Sequence, residues 1–393
     1  VSFFKNPFSA DKASVSFILE SISETSYGEA FSLVGDAMNL KGNKIDLAGK
    51  IMGAHSYGKP DTEFIRSQNI PVISKKFTTY TINLIKNKPA NFFNFDNVEC
   101  RDFLSTWHKL AELCVVHLFN ENIKDKNTPI VYSGGVAQNS VINEALKRQY
   151  PNLEIVPHCY DGGLTLGCLY AACNYFKLPL PDVSNFPYLQ HDVINEIPSK
   201  KTIEETAKIL SEGKIVGWHQ GQGEIGPRAL GNRSILLHPG LKDGKDILNQ
   251  KVKHREHWRP FAASVLEEHA HEWFDFKGES PYMMRAIKVK KEKINVIKSV
   301  VHEDDTCRIQ TVSMKQNPVF YNLIKEFYSI TGIPMVLNTS LNLGGKPIVG
   351  DPKWSKELLS NSDMDFLVVG DSVFSKNSLN KKKDKTVNRK DEK

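Results

Sequence analysis

The sequence lacks any run of eighteen apolar residues, so no membrane-spanning helix is expected. Its six cysteines include no CxxC pair, and we expect reduced, buried thiols of a cytoplasmic protein. No charged segment followed by an apolar core opens the sequence, although a missing N-terminus would hide such a secretory signal. Internal repeats are also missing, and the one biased stretch, residues 377–393, predicts a disordered charged tail.

The composition is that of an ordinary globular enzyme. The chain has 393 residues, of which 40% are apolar and 24% charged, enough for two domains with sizeable cores. Much of the formal net charge of +6 comes from the tail, which could touch nucleic acid or an anionic membrane but is usually a solvated terminus. We expect the remaining positive charge to surround a small polyanion.

Helical and strand patterns alternate along the chain. Residues 1–95 are predicted to hold short helices and strands. Residues 99–120 predict a helix with one apolar face. Two short strands near residues 129–132 and 153–157 flank a helix, which is a βαβ-like arrangement, and a further helix is predicted for residues 163–176.

The domain division follows from a proline-rich stretch without periodicity. Residues 181–198 predict an interdomain linker. The two domains are then residues 1–180 and residues 199–376, and the second begins with a helix that leads into a strand ending near Trp218.

The most informative run is GQGEIGPRALGNRS, residues 221–234. Its glycines allow main-chain N–H groups to approach a ligand, and Pro227 fixes the local backbone. Arg228 and Arg233 offer planar forks that match phosphate or carboxylate oxygens. The run predicts an anion cradle with two cationic walls, although a structural turn with salt-bridged arginines explains the composition alone about equally well.

Three later segments favour the anion site. NQKVKHREHWRPFAASV, residues 249–265, carries four cations around Trp258 and Phe261. HEDDTCRIQTV, residues 302–312, places Arg308 in a run whose end has strand character. PMVLNTSLNLGGKPIVGDP, residues 334–352, runs an apolar strand into small hydroxyl and amide side chains, which are well placed at a strand mouth to bind a ligand.

Together these segments resemble the NodU/CmcH family of carbamoyltransferases, whose patterns are close to GPRALGNRS, VKxREx(F/W)RPFAxSV, DxTxRxQTV and LNTSxNxxGxPIV. The resemblance covers roughly residues 44–372 and implies that the second half is a YrdC-like α/β domain that makes carbamoyl-adenylate from carbamoyl phosphate and ATP. Its implied polyanion-binding set, in which the first three residues are also catalytic, is Arg228, Lys253, Arg259, Arg308, Ser340 and Asn342.

The first half carries a second match. PIVYSGGVAQN, residues 129–139, resembles the family's nucleotide-binding turn in an ASKHA-type (actin- and sugar-kinase-like) transferase domain, which assigns Gly134, Gly135 and Asn139 to the AMP moiety. A Gly-Gly turn opening a helix is a good phosphate site. PHCYDGGLTLGCLYAA, residues 157–172, resembles the metal-bearing segment and assigns Asp161 as a metal ligand.

A third run, DLAGKIMGAHSYG at residues 46–58, resembles the family's AGKxMGLAxYG. It implies that Lys50, with Gly49, Gly53 and Gly58, lines the same cleft. A solvated lysine is nearly as good an explanation of Lys50.

Two departures from the family pattern stand out. Members start with a further stretch that carries an HHxxH-type motif, whereas this chain begins at Val1 and none of its twelve histidines are spaced four apart. Either the sequence is a fragment or another chain supplies the missing half, and Asp161 alone cannot hold a metal ion tightly. In addition, Lys346 stands where the family commonly has Glu, which could alter acceptor choice or simply face solvent.

The resemblance implies an ATP-dependent O-carbamoyltransferase acting on an acceptor hydroxyl. ATP and carbamoyl phosphate are the implied substrates, with Mg²⁺ as counter-ion and Fe²⁺ or another divalent metal in the transferase domain. One alternative is a subunit that makes only the adenylate and needs a separate N-terminal partner chain. A second is an RNA-binding YrdC-like module, which predicts a steep salt dependence of binding and no ATP dependence.

Overall fold

An eight-stranded mixed sheet dominates the computed structural model, which describes residues 26–42, 44–89 and 91–376 and leaves out the side chains of residues 44 and 45. The chain forms two compact units, up to Ile155 (the N-terminal unit) and from Val156 onward (the C-terminal unit). The described residues form both helices and sheets, in agreement with the α/β class that was predicted. The predicted tail lies outside the described residues.

The N-terminal unit is mostly helical. Its helices are α1 (Tyr27–Ala37), α2 (Lys44–Ala54), α3 (Thr62–Ser67), α4 (Ile70–Ser74), α5 (Phe77–Lys86), α6 (Val98–Asn122) and α7 (Ser140–Gln149), and its strands are β1 (Ile130–Val131) and β2 (Leu153–Glu154). Trp107 of α6 is fully buried, meets the ring of Phe31 edge-on and donates its indole N–H to Thr81 Oγ1 at 3.0 Å.

Two predictions for this unit can be checked. The βαβ-like arrangement is confirmed, because β1 and β2 pair in parallel on either side of α7. The strands expected before residue 95 were wrong for the described residues, all of whose regular elements there are helical. Short β-branched runs such as that at residues 70–73 are ambiguous between helix and strand.

The C-terminal unit is built on the large sheet, with strand order β12-β11-β4-β6-β10-β7-β9-β8. Its strands are β3 (Tyr188–Val193), β4 (Val216–His219), β5 (Gln222–Glu224), β6 (Arg233–Leu237), β7 (Ala262–Leu266), β8 (Arg285–Lys288), β9 (Thr306–Val312), β10 (Met335–Ser340), β11 (Phe366–Val369) and β12 (Ser372–Ser375). Its helices are α8 (Leu164–Phe176), α9 (Lys200–Ser211), α10 (Gly244–Leu248), α11 (Ala270–Trp273), α12 (Pro318–Thr331) and α13 (Pro352–Asn361).

The sheet is buried because its central strands are apolar. β6 and β7 are buried at every position, and helix α12 packs against β7 and β10 with Phe320 and Phe327 in the core. The stretch expected to be an irregular linker, residues 181–198, contains β3, which pairs antiparallel with β5. Prolines in the surrounding stretch, including Pro187 directly before β3, hid it, since they suppress a strand pattern.

Register places four chain segments at one edge of the sheet. β10 runs antiparallel to β6 and β7, and β7 runs parallel to β9. The carboxyl end of β10 therefore lies beside the amino ends of β6, β7 and β9. The loops before β6 and β7, and the turn after β10, meet at this edge, which holds the candidate site.

Candidate active site

The loop before β6 holds Arg228 among other cations. Arg228 is partly buried, and the pKa of its guanidinium is lowered to about 10. Burial is the main cause, the nearby Cys159 opposes the shift, and Arg259 adds to it. Gly226 has φ of +96°, and a β-carbon there would meet the carbonyl of Pro157, so this loop position requires glycine.

The run following α10 carries Lys253. Residues 249–253 form a single π-helical turn, a feature that is often found at functional sites. His254 follows in the left-handed region, with φ of +44°, which ends the turn. This local geometry buries Lys253 to 2% exposure, and burial together with Arg255 and Arg259 holds the pKa of its ammonium well below the usual value.

Lys253 is bound to the end of β10. Its Nζ lies 2.5 Å from the Ser340 carbonyl, 2.7 Å from Asn342 Oδ1 and 3.0 Å from the Asn342 carbonyl. The Ser340 hydroxyl also donates to Asn342 Oδ1, at 2.7 Å. The ammonium thus fixes the two predicted strand-mouth residues relative to the cations.

Arg308 occupies the adjacent strand β9, opposite Ala262 of β7. Burial first, and then the neighbouring guanidinium groups of Arg228, Arg255 and Arg259, hold its pKa well below the usual value. Its Nε is buried without a hydrogen-bond partner among the described residues. Since unpaired buried donors are costly, this guanidinium is suited to an acceptor brought by a ligand.

The structure therefore brings together all six residues assigned to the polyanion. They come from four segments, and the Arg259 guanidinium lies close enough to lower the pKa of Arg228, Lys253 and Arg308. Glu256 approaches Arg259 at 3.9 Å. Clustering like charges in a partly desolvated site is unfavourable unless an anion offsets it, which favours a ligand with several negative charges.

Arg233 differs from the predicted cationic wall. It is fully buried, and its guanidinium donates to the main-chain carbonyls of Gln220 (2.6 Å), Asn232 (3.0 Å) and Asp192 (3.0 Å). Arg233 therefore stabilises the main chain around the loop before β6 through these hydrogen bonds. The arginine fork that matches phosphate matches carbonyl oxygens as well, and the sequence did not distinguish the two uses.

Other site-building residues were missed by the sequence prediction. Arg255 adds a fifth cation and lies over the Phe261 ring at 4.7 Å. Buried Asn338 donates to Ser264 Oγ at 2.9 Å, Ser264 donates to Gln310 Oε1 at 2.7 Å, and Gln310 donates to the Leu230 carbonyl at 2.8 Å. The available signal was a polar residue directly after an apolar one in each of these three strands.

The predicted nucleotide-binding turn lies in the N-terminal unit. Gly134 has φ of +111°, and a β-carbon on Gly134 or Gly135 would meet nothing within 4 Å, which leaves space beside the turn. The side chain of Asn139 is used in hydrogen bonds within the N-terminal unit. Its Oδ1 accepts the main-chain N–H groups of Val141 and Ile142, in the first turn of α7, at 3.1 and 3.2 Å. Its Nδ2 lies 2.9 Å from His108 Nε2. Asn139 therefore holds the turn rather than extending into the space beside it.

The run resembling AGKxMGLAxYG is placed differently from the expectation. Lys50 is buried, with Nζ 2.5 Å from the Lys41 carbonyl and 3.4 Å from Asp46 Oδ2, so the solvated alternative was wrong. Gly58 packs against α6, since a β-carbon there would lie 1.9 Å from the Arg101 carbonyl oxygen. These contacts give both residues structural roles.

Asp161 begins a short 3₁₀ turn before α8 and is exposed. Among residues 26–42, 44–89 and 91–376, no group of three or more His, Cys, Asp or Glu could hold a metal ion. The described residues thus do not fit the metal centre that was expected at Asp161. All six cysteines are free, and five are buried as predicted, whereas Cys168 is exposed.

The fold and the cationic edge define an α/β protein suited to a polyanionic ligand. Two family models match the chain: Carbamoyltransferase N-terminus at residues 3–173 and Carbamoyltransferase C-terminus at residues 207–376. The chain belongs to the carbamoyltransferase family. No helix in the described part of the chain is long and apolar enough to cross a membrane.

Relatives cover most of the chain. It is 32% identical over 353 residues to nodulation protein NolO of Bradyrhizobium diazoefficiens, across 82% of this chain and 64% of NolO. It is 35% identical over 299 residues to nodulation protein NolNO of Sinorhizobium fredii, across 70% of this chain and 44% of NolNO. An uncharacterized Methanocaldococcus jannaschii protein, MJ1051, is 30% identical over 400 residues, across 93% and 75% of the two chains. The chain thus spans 64% and 44% of the length of the two nodulation proteins.

Proposed function

We propose that this protein acts in ATP-dependent O-carbamoylation, and that its C-terminal unit, taken as a YrdC-like domain, forms carbamoyl-adenylate. The observation that carries the proposal is the cluster of Arg228, Lys253, Arg259 and Arg308. Lys253 joins this cluster to Ser340 and Asn342. ATP carries about four negative charges, which a partly desolvated site must offset with comparable positive charge.

The proposed reaction has three steps. Water cleaves carbamoyl phosphate to carbamate and inorganic phosphate. A carbamate oxygen then attacks the α-phosphorus of ATP, which forms carbamoyl-adenylate and releases pyrophosphate. An acceptor hydroxyl finally attacks the carbamoyl carbon, AMP leaves, and the hydroxyl proton passes to solvent. The products are a carbamate ester, AMP, pyrophosphate and phosphate.

The cations stabilise charge that moves to the leaving phosphates. Arg228, Arg259 and Arg308 present guanidinium donors to phosphate oxygens, which match their planar fork. Lys253 keeps Ser340 and Asn342 in place to orient the carbamoyl group. A site on rigid strand ends holds these groups in position before the substrate arrives.

The N-terminal unit, proposed to be part of an ASKHA-type domain, would hold AMP at the turn containing Gly134 and Gly135, with Asn139 fixing that turn. We derive no step through a metal ion, because the described residues do not fit one.

ATP–pyrophosphate exchange tests the activation step. Wild type should exchange labelled pyrophosphate into ATP only when carbamoyl phosphate is present. Arg228→Ala and Lys253→Met should lose at least about 100-fold of this activity, since each removes one charged contact of about 3 kcal/mol from the transition state. Lys251→Ala removes the same charge from an exposed position two residues away and should leave exchange unchanged.

Thermal unfolding of each variant separates lost chemistry from lost folding. Exchange that persists in folded Arg228→Ala and Lys253→Met proteins would contradict the assigned site. Exchange without carbamoyl phosphate would contradict the substrate.

A second candidate is activation without transfer. It is favoured because the cationic cluster is complete within the C-terminal unit, whereas the described residues offer no metal centre. It predicts AMP and pyrophosphate formation without a carbamoylated acceptor, with transfer restored when an N-terminal partner chain is added.

A further inference from the structure

The GPRALGNR loop encloses a carboxylate of its own. Glu224 ends β5 and is fully buried. Its Oε1 accepts the main-chain N–H of Leu230, and also those of Arg233 at 3.3 Å and Asn232 at 3.4 Å. Three N–H groups converging on one oxygen form a concave anion-binding arrangement of the backbone.

This arrangement changes what the loop can do for a substrate. The sequence suggested that its main-chain N–H groups would cradle a bound anion. Three of them are occupied by Glu224, and the N–H of Gly231 donates to Ser234 Oγ at 3.2 Å. The loop thus folds around an internal anion, and the same loop contributes the Arg228 side chain to the cationic cluster.

Two further hydrogen bonds hold the loop at Leu230. The Leu230 carbonyl accepts from Gln310 Nε2 at 2.8 Å and from the Tyr188 hydroxyl at 2.9 Å. These two bonds hold the loop through the Leu230 carbonyl, whereas Glu224 accepts three converging main-chain N–H groups of the loop. Arg228 lies two residues before Leu230 in the same loop, so the Leu230 N–H bond to Glu224 fixes the main chain next to Arg228.

Glu224 is an expensive residue to bury, which argues that its position matters. Its Oε2 is buried without a hydrogen-bond partner among the described residues. Burial raises the pKa of the carboxyl group, although the N–H of Leu230 and the Arg233 guanidinium act in the opposite direction. A neutral side chain of similar shape would avoid that cost if the site needed only packing.

We propose that Glu224 is a positioning residue that sets Arg228 in the anion site by serving as the internal anion of its loop. The inference rests on the proposed function in one respect, namely that Arg228 binds a substrate phosphate. The direction of the change in anion affinity distinguishes this positioning role from a simple electrostatic effect of the Glu224 charge. Removing a negative charge near a cationic site should strengthen anion binding, whereas releasing Arg228 from its position should weaken it.

The experiment is calorimetric titration of the full chain with inorganic pyrophosphate, together with ATP–pyrophosphate exchange. Glu224→Gln keeps the size of the side chain and removes its charge, and we expect about 10-fold weaker pyrophosphate binding. Glu224→Asp keeps the charge but withdraws the oxygen by one methylene, and should weaken binding similarly, so the test survives if either variant fails to fold. Glu212→Gln, at an exposed carboxylate of the same unit, should change neither the affinity for pyrophosphate nor the rate of ATP–pyrophosphate exchange.

A double-mutant cycle completes the test. In an Arg228→Ala background, Glu224→Gln should cause no further loss of pyrophosphate affinity, because its effect passes through Arg228. Unchanged or tighter binding by the folded Glu224 variants, or losses that multiply in the double variant, would overturn the inference. If wild type binds pyrophosphate but shows no exchange dependent on carbamoyl phosphate, the proposed function fails and the positioning role stands. If wild type binds no pyrophosphate, both fail.

Discussion

Gly344 lies directly against Lys253: a β-carbon on Gly344 would be 2.2 Å from the Lys253 carbonyl oxygen. The glycine of the turn after β10 is therefore required by the π-helical turn opposite. This contact joins the two segments that carry Lys253 and Asn342, so the ammonium reaches the strand end only because no side chain separates them.

Gly344→Ala should consequently impair the site. The alanine methyl cannot fit without moving one main chain from the other, and we expect at least a 10-fold loss of ATP–pyrophosphate exchange with about 1–3 kcal/mol of destabilisation. Gly167→Ala is the matched control, since a β-carbon there meets nothing within 4 Å and the residue lies within α8. That control should be neutral or slightly stabilising, and full activity in Gly344→Ala would contradict the proposed contact.

Asn139→Ala should destabilise the protein and disturb the N-terminal turn together. Loss of the cap on α7 costs about 1 kcal/mol of unfolding free energy, and loss of the bond to His108 frees the turn beside Gly134 and Gly135. AMP binding, followed by fluorescence or calorimetry, should weaken. Asn97→Ala, which removes the cap of α6, should cost similar stability but leave AMP binding intact. Equal AMP affinity in the two variants would remove Asn139 from the binding turn.

Gln310→Leu should test the buried polar network under the loop. It leaves the Ser264 hydroxyl without its Gln310 acceptor and deprives the Leu230 carbonyl of one donor, so we expect about 1–3 kcal/mol of lost unfolding free energy in denaturant titrations. The double variant Gln310→Leu/Ser264→Ala should lose less unfolding free energy than the sum of the losses of the two single variants, because both substitutions break one network. Strict additivity would show that the network does not act as a unit.

His219 should contribute a defined pH dependence of stability. It is fully buried beside Ser355, and burial, followed by the charge of Arg233, lowers its pKa to about 3. The folded state therefore binds this proton more weakly than the unfolded state does. Its contribution is complete above about pH 6.5 and is lost as pH falls towards 3, at roughly 1.4 kcal/mol per pH unit.

Denaturant titrations at pH 7, 6 and 5 measure this dependence. The stability of His219→Gln should fall less between pH 7 and pH 5 than that of wild type. His271→Gln, at an exposed position, should retain the wild-type slope. Identical slopes in all three proteins would show that His219 is not held neutral.

Much of the site was predictable because its anion-binding residues lie in short motifs that can be recognised in the sequence. Arg228, Lys253, Arg308 and Asn342 each lie in a short motif whose residue types suit an anion. The strands that carry Arg308 and precede Asn342 were visible as apolar runs. The convergence was not predictable from pattern alone, since β10 lies between β6 and β7, and no local signal specifies that neighbour order.

The remaining errors have a common physical origin. Arg228 and Arg233 belong to one loop and carry the same group, yet one joins the cation cluster and the other binds main-chain carbonyls. Glu224 passed unnoticed because a lone carboxylate beside glycines predicts nothing until the loop closes on it. In each case three-dimensional neighbours, rather than residue type, determine the role.

The contiguous edge of β6, β10, β7 and β9 has a thermodynamic consequence. The groups that would meet a polyanion are separated by as many as 114 residues along the chain, from Arg228 to Asn342, so an unfolded chain cannot present them together. A polyphosphate bound there would act as a selective stabiliser of the native topology, and the melting temperature should climb with the logarithm of its concentration once that exceeds the dissociation constant.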